Sequence, residues 1–426
     1  VSLEVGSFPV EDIKFGPETK WHDGVLEIDR DEILGLIFQD ELIKSAEIDF
    51  ALPGDSTRVI NYMDVIEPKV KVRGSGQTYP GIVGRSTEKT GEGRTHRLQN
   101  FAVVECVDYA GVSDEMRYAS ATKQTGAPDP FFDKGGSHAV TAFAPQVNLC
   151  IAISPPDDLG PADRHTVIHS ATMRVADRLA ATVAAMEPPE LETFDLTPRE
   201  GLPGAVFIPH LSSIEWQTGS RSSMGMSVYG QTRLSAPWLL EGTELLDGAV
   251  SQRHSLQLAD NPVVLEMARR HGTTFNFIGC IIQRTNWTMQ AEKEMAADRA
   301  AHLAQKVGAK AAIVTTDIRG QRYLETILTL QACERLGIAT ILLSEEEDPE
   351  GGTAPPFILS PPEMVSVVST GTGAVPGNFP PVDKVVGTVG KPEERWYGEQ
   401  PPIIGRYGAY HAQDIWGYGN QSLADY

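Results

Sequence analysis

The residues best suited to chemistry fall into a few short stretches. His165 and His169 stand four apart in a segment that reads as helix, which puts both imidazoles on one face. That spacing suits a metal ion, but no Glu-x-x-His motif accompanies it. The pair therefore reads as solvated or at an interface, and no metal ligand is assigned. Gly91-Glu92-Gly93-Arg94-Thr95-His96 gathers acid, base and hydroxyl into one compact loop, either a functional turn or a structural hairpin. Two further loops, Thr315-Thr316-Asp317-Ile318-Arg319-Gly320 and Ser369-Thr370-Gly371-Thr372-Gly373, can present N–H groups to an anion, with ordinary capped turns as the competing reading. Gly219–Gly230 is a substrate loop or a plain connection. Neither GxGxxG after the first strand nor GxxxxGK[ST] is present, so nucleotide binding has no positive motif.

The four cysteines, Cys106, Cys150, Cys280 and Cys333, form no CxxC pair, which argues against a zinc ribbon or a dithiol redox site. Cys150 and Cys280 lie in apolar runs and read as buried structural thiols.

These stretches need elements to hold them. Up to about residue 150 the chain reads as mostly β, with alternating runs such as Val25–Ile28 and Lys69–Val72 ended by Gly or Pro. A helix is expected over Asp31–Gln39, a buried strand over Phe143–Ile153, and a long helix from Pro161 to about Ala185. Met186–Gly204, rich in Pro and acid and without apolar period, reads as a domain boundary. Beyond it strands and helices alternate. Strands fall at Ala205–Leu211, Phe275–Ile282, Ala311–Thr315, Ile338–Leu343 and Met364–Ser369. The helices fall at Pro262–Gly272, Asn286–Val307 and Gln321–Leu336. This order implies a parallel sheet with right-handed crossovers.

The expectation is thus an α/β protein. A β-rich α+β domain (1–190) precedes a doubly wound, mostly parallel, Rossmann-like domain (205–390), and an extended tail (391–426) follows. In that tail Trp396, Tyr407 and Trp416 read as interface contacts. In such a sheet ligands sit beyond the carboxyl ends of the strands.

Composition narrows the partners. The chain has 426 residues, 41% hydrophobic and 22% charged, ordinary values for a globular protein. With 57 acidic against 36 basic residues the net charge is −21, which argues against nucleic acid and anionic membrane. No basic n-region, signal-like apolar stretch or membrane-length run occurs, so the chain reads as soluble and cytoplasmic.

Ten runs, in order, resemble the component B proprotein subunit of the glycine, sarcosine and betaine reductases, and more distantly that of D-proline reductase. They are LEVGSFPVEDIKFG (Leu3–Gly16), DGVLEID (Asp23–Asp29), DVIEPKVKVRG (Asp64–Gly74), YPGIVG (Tyr79–Gly84), GEGRTH (Gly91–His96), AVVEC (Ala102–Cys106), LLDGAV (Leu245–Val250), NPVVLEMARRHG (Asn261–Gly272), FNFIGCII (Phe275–Ile282) and FPPVDKVVG (Phe379–Gly387).

The resemblance implies a hetero-oligomeric enzyme that cleaves the C–N bond of a small amine-type substrate, with a reactive Cys or Sec on a partner subunit. It also implies a chain cut before a cysteine just after the DGA motif, leaving a pyruvoyl group. Here Asp247-Gly248-Ala249 is followed by VSQRHSLQLADN, which has no cysteine; His254 and Ser255 are the nearest alignable residues. Ser255 is a possible pyruvoyl precursor, a plain loop the alternative, and the cofactor stays unassigned.

The expected roles are His254 as base, Asp247 orienting it, Ser255 at the reacting position and Arg94 fixing a carboxylate. His96, Thr316, Asp317, Thr370 and Gly371 complete the substrate site, at a convergence of the GEGRTH loop, the post-DGA loop and the strand ends. Two other readings stay open: a self-contained metal-dependent hydrolase or lyase, and a non-catalytic scaffold.

Overall fold

The computed structural model describes residues 2–82, 84–107, 131–134, 143–154, 159, 161–211, 227–231, 234, 236–251, 255–284, 289–316, 321–346, 355, 357–372, 380–387 and 397–398. His254, Asp317, Trp396, Tyr407, Trp416 and nearly all of the expected tail lie outside these residues, as do residues 219–226 of the Gly-rich segment.

The N-terminal half is built from small sheets. One orders its strands as Glu190–Asp195, Ser2–Pro9, Gly93–Gln99 and Lys69–Arg73; another as Ser45–Ala51, Val147–Ser154, Phe101–Val107 and Tyr62–Ile66. The chain steps from the first to the second at Asn100, whose φ of 59° is a left-handed turn that asparagine tolerates. The long helix runs Pro161–Ala181 and sets Val167, Ile168, Ala171, Val175 and Leu179 into a core with Leu98, Val103 and Ile151. Each such side chain contributes about 1.5–3 kcal/mol on burial. The short helix Arg30–Ile37, capped by Asp29, is pinned to the long one through Arg178 and Glu32 at 2.6 Å.

The C-terminal half carries a six-stranded sheet ordered Trp238–Leu240, Asn276–Arg284, Gly204–Leu211, Ala309–Thr316, Ala339–Glu346 and Val367–Thr372. All pairs are parallel except the first, where Trp238–Leu240 adds an antiparallel edge. An alanine seam (Ala297, Ala300, Ala301, Ala304) on helix Gln290–Lys306 packs closely on Val206, Ile208 and Val314. On the other face Val263, Val264 and Met267 pack with Phe207 and Phe277. Asn261 caps their helix, Pro262–Arg269, by accepting from Val263 N and Val264 N.

Two segments cross between the halves. Glu190–Asp195, within the stretch expected as a linker, is an edge strand on Ser2–Pro9, in register from Ser2↔Asp195 to Ser7↔Glu190. Phe194 is its one buried residue, so there is no alternating apolar pattern to read. Lys384–Val386 returns to pair with Thr57–Ile60 of the N-terminal half. Leu3, Val5 and Phe194 share a core with Phe207 and Phe277, so the halves are packed together. Among the described residues no helix is long and apolar enough to cross a membrane.

Candidate functional site

Two strands that are buried throughout each carry one charge. Tyr62–Ile66 holds Asp64, and Phe101–Val107 holds Glu105. The antiparallel register sets Glu105 directly opposite Asp64. Burying carboxylates is costly unless donors or counter-charges meet them, and the surrounding elements supply both.

Asp64 lies at the head of the short helix Ser255–Ala259. It accepts the Ser255 N–H at 2.8 Å on one oxygen and the Ser255 hydroxyl at 2.6 Å on the other. Burial raises the Asp64 pKa to about 6, with the Glu105 charge adding to it and His169 and Ser255 opposing.

Glu105 faces the long helix, from which His165 and His169 project one turn apart with rings stacked at 5.2 Å. His169 Nδ1 lies 2.8 Å from Glu105 Oε2, and His165 Nε2 lies 3.7 Å from Oε1. Burial alone would lower the His169 pKa, but the Glu105 carboxylate outweighs it and the pKa ends raised. Burial would likewise raise that of Glu105, yet His169 and His165 bring it below its ordinary value. One ligand atom from each of Glu105, His165 and His169 lies within 4.8 Å of the others. The histidine pair, expected to be solvated or at an interface, is instead docked on a buried acid, with His169 itself buried.

The DGA turn is held by a second network. The helix Gly242–Leu246 ends at Asp247, whose carboxylate accepts the Thr95 hydroxyl at 2.6 Å, the Gly91 N–H at 2.8 Å, the Thr90 hydroxyl and the Lys71 ammonium. This locks the GEGRTH run and the DGA turn together; the run, expected as a compact loop, is a loop only at Gly91 and Glu92 and enters the strand Gly93–Gln99 from there. Gly91, at φ 95°, lies so close that a Cβ there would meet Glu244 N at 2.8 Å.

The segment after DGA is fixed at both ends. Ser255 rests on Asp64, and Asp260 takes Arg97 Nη1 at 2.8 Å with Lys69 Nζ at 3.5 Å. Lys69 also meets Glu67 at 3.0 Å. Burial, with the Asp260 charge, raises the Glu67 pKa to about 7.

The other expected residues stand elsewhere. Arg94 gives its Nε to Glu4 at 2.7 Å. His96 is buried, with Nδ1 2.9 Å from Val183 O and its ring against Phe8 at 5.1 Å. Thr316, Thr370 and Gly371 lie at the carboxyl ends of the parallel strands. Helix Gly242–Leu246, which leads to Asp247, starts at the opposite end of the sheet, where Gly242 abuts Phe277. At the carboxyl edge Gln283 Nε2, His210 Nδ1 and Thr370 Oγ1 are buried atoms with no hydrogen bond.

Sequence reasoning passed over Asp64, Glu105, Lys71 and Thr90. The readable signal was a single acid inside an otherwise apolar strand: Asp64 in YMDVI and Glu105 in FAVVECV.

A two-part α/β chain with a buried acid–histidine cluster against the post-DGA segment defines the class, and comparison with known proteins gives the family. The family profile for glycine/sarcosine/betaine reductase component B subunits matches residues 1–408, and the chain belongs to that family. Over 396 residues it is 27% identical to the sarcosine reductase complex component B subunit alpha of Peptoclostridium acidaminophilum, covering 90% of this chain and 89% of the relative. The same organism's betaine reductase complex component B subunit alpha is 29% identical over 409 residues, with 91% and 88% covered. Its glycine reductase complex component B subunits alpha and beta are 28% identical over 399 residues, with 91% and 89% covered. No solved structure matches significantly.

Proposed function

We propose that this chain is the substrate-handling subunit of a multi-component reductase that cleaves the C–N bond of a small amine-type substrate, with Ser255 at the reacting position. The observation that carries this reading is Asp64, whose one carboxylate takes both the N–H and the hydroxyl of Ser255 beside a second buried acid. A carboxyl with its pKa raised to about 6 exchanges protons readily near that pH. His254, next to Ser255 in the chain, serves as base. Asp247 acts as a positioning residue by holding the GEGRTH loop. Thr316, Thr370 and Gly371 stand at the other end of the sheet from the helix that leads to Asp247, so they are not assigned to this substrate.

The attacking thiol or selenol comes from a partner subunit. All four cysteines here are buried, and burial raises the thiol pKa values of Cys150 and Cys333 to about 12. Such thiols are poor nucleophiles at neutral pH.

The family also implies a pyruvoyl group, and Ser255 fits it in one respect. Asp64 touches both Oγ and N of Ser255, the two atoms between which the acyl group moves when a chain is cut at serine. At this position, with Asp64 beside it, a pyruvoyl group would supply an electrophilic, electron-withdrawing carbonyl for an amine substrate. Intact mass of the purified chain reads this directly, as two fragments split before Ser255 or as one uncut chain.

Turnover tests the proposal. With a thiol- or selenol-bearing partner subunit and a dithiol reductant, the chain should release amine from small amine-type substrates, the chain alone should not, and Asp64→Asn should lower the rate by about 10²-fold or more. Equal turnover by the isolated chain, or an unchanged Asp64→Asn rate, overturns the reading.

A further inference from the structure

We propose that Glu105, His165 and His169 form a binding site for a divalent transition-metal ion of the zinc, cobalt or iron(II) type. Two imidazoles and one carboxylate make a donor set that suits these ions and leaves further coordination positions open. The i, i+4 step on the long helix brings both rings to one side, and Glu105 projects from the strand beneath.

The spacing is close to that of a metal site. Ligand atoms about 2.0–2.2 Å from a tetrahedral ion lie roughly 3.4 Å from one another. The two gaps here, 2.8 Å from Oε2 to His169 and 3.7 Å from Oε1 to His165, fall on either side of that value.

A second observation points independently to a ligand. Glu105 is fully buried, yet its Oε1 receives no hydrogen bond. Buried carboxylate oxygens are almost always satisfied; here His169 meets Oε2, and the Thr172 hydroxyl beside the carboxylate donates to Ile168 O. A cation between Oε1 and His165 Nε2 satisfies that oxygen. Charge agrees as well, because Asp64 and Glu105, opposite each other in the ladder, together balance a dication while both imidazoles stay neutral, as ligation requires.

The inference does not depend on the reductase reading, and the metal alone tests it. The full-length chain is stripped with EDTA, then titrated with Co²⁺ and, separately, Zn²⁺. One equivalent should bind, and Co²⁺ should give the strong visible absorption of a low-coordinate site. Losing a ligand should weaken binding by about 100-fold in His165→Ala. That residue is partly exposed (21%), so the variant keeps its fold. Glu105→Gln should abolish the absorption, with circular dichroism checking its fold. If the wild-type chain binds no stoichiometric Co²⁺, or His165→Ala binds it with the same affinity and spectrum, the proposal is overturned.

Discussion

Asp64 and Glu105 are register partners across an antiparallel ladder, so two buried carboxylates stand side by side between wholly buried strands. They are held differently. Asp64 relies on neutral donors from Ser255 and on the backbone N–H of Val65, whereas Glu105 relies on His169. In metal-free buffer, Glu105→Gln leaves His169 without its counter-charge and should destabilise the chain by about 3–5 kcal/mol, the usual cost of breaking a buried pair. Urea unfolding at pH 7 in EDTA measures it. A loss below about 1 kcal/mol would mean that the pair is nearly neutral to folding, as exposed pairs are.

Asp247 accepts from four donors, so its replacement can be judged by counting. Asn has one acceptor oxygen and an NH₂ that must face a donor, and it brings no charge to Lys71. Asp247→Asn should cost about 3–5 kcal/mol. Adding Lys71→Met removes the stranded cation, so the double variant should lose less than the sum of the two singles. Additive losses in a double-mutant cycle would place Asp247's contribution in Thr90, Gly91 and Thr95 alone.

Gly91 shows how closely the GEGRTH loop approaches the helix before the DGA turn. An alanine there carries a left-handed φ of 95° and a Cβ 2.8 Å from Glu244 N. Gly54 has a similar φ of 82° with nothing within 4 Å of a Cβ, and so isolates the backbone cost. Gly54→Ala should lose about 1 kcal/mol, and Gly91→Ala clearly more, read as the difference in urea midpoints. Equal losses would mean that the loop yields without strain.

Local order was legible in the chain and long-range placement was not. The parallel sheet could be read because continuous apolar runs alternate with capped amphipathic helices; Asn261-Pro262 signals its helix by side-chain chemistry alone. The docking of GEGRTH on the DGA turn joins residues more than 150 positions apart, which no local period encodes. His165 and His169 were visible as a pair, but their partner Glu105 sits over 60 residues earlier in a strand. The antiparallel edge strand Trp238–Leu240 and the returning strand Lys384–Val386 have three residues each, too few for a pattern.

His210 gives a pH dependence whose sign follows from its burial. It lies in the central strand of the C-terminal sheet, fully buried, with Nε2 3.1 Å from the Thr329 hydroxyl. Burial lowers its pKa to about 3, with a backbone contact at Thr315 opposing. The folded chain thus keeps the ring neutral, while the unfolded chain protonates it near pH 6.5. Above pH 6.5 both states are neutral and the full stability is present. Below it only the unfolded state binds the proton, so stability falls by about 1.4 kcal/mol per pH unit until pH approaches 3. His210→Asn retains a polar group for Thr329 but cannot titrate. Between pH 7 and pH 5 the wild type should lose about 2 kcal/mol more than His210→Asn in urea unfolding, because every other group titrates alike in both. Parallel losses in the two proteins would show that His210 takes up its proton in the folded state as readily as in the unfolded one.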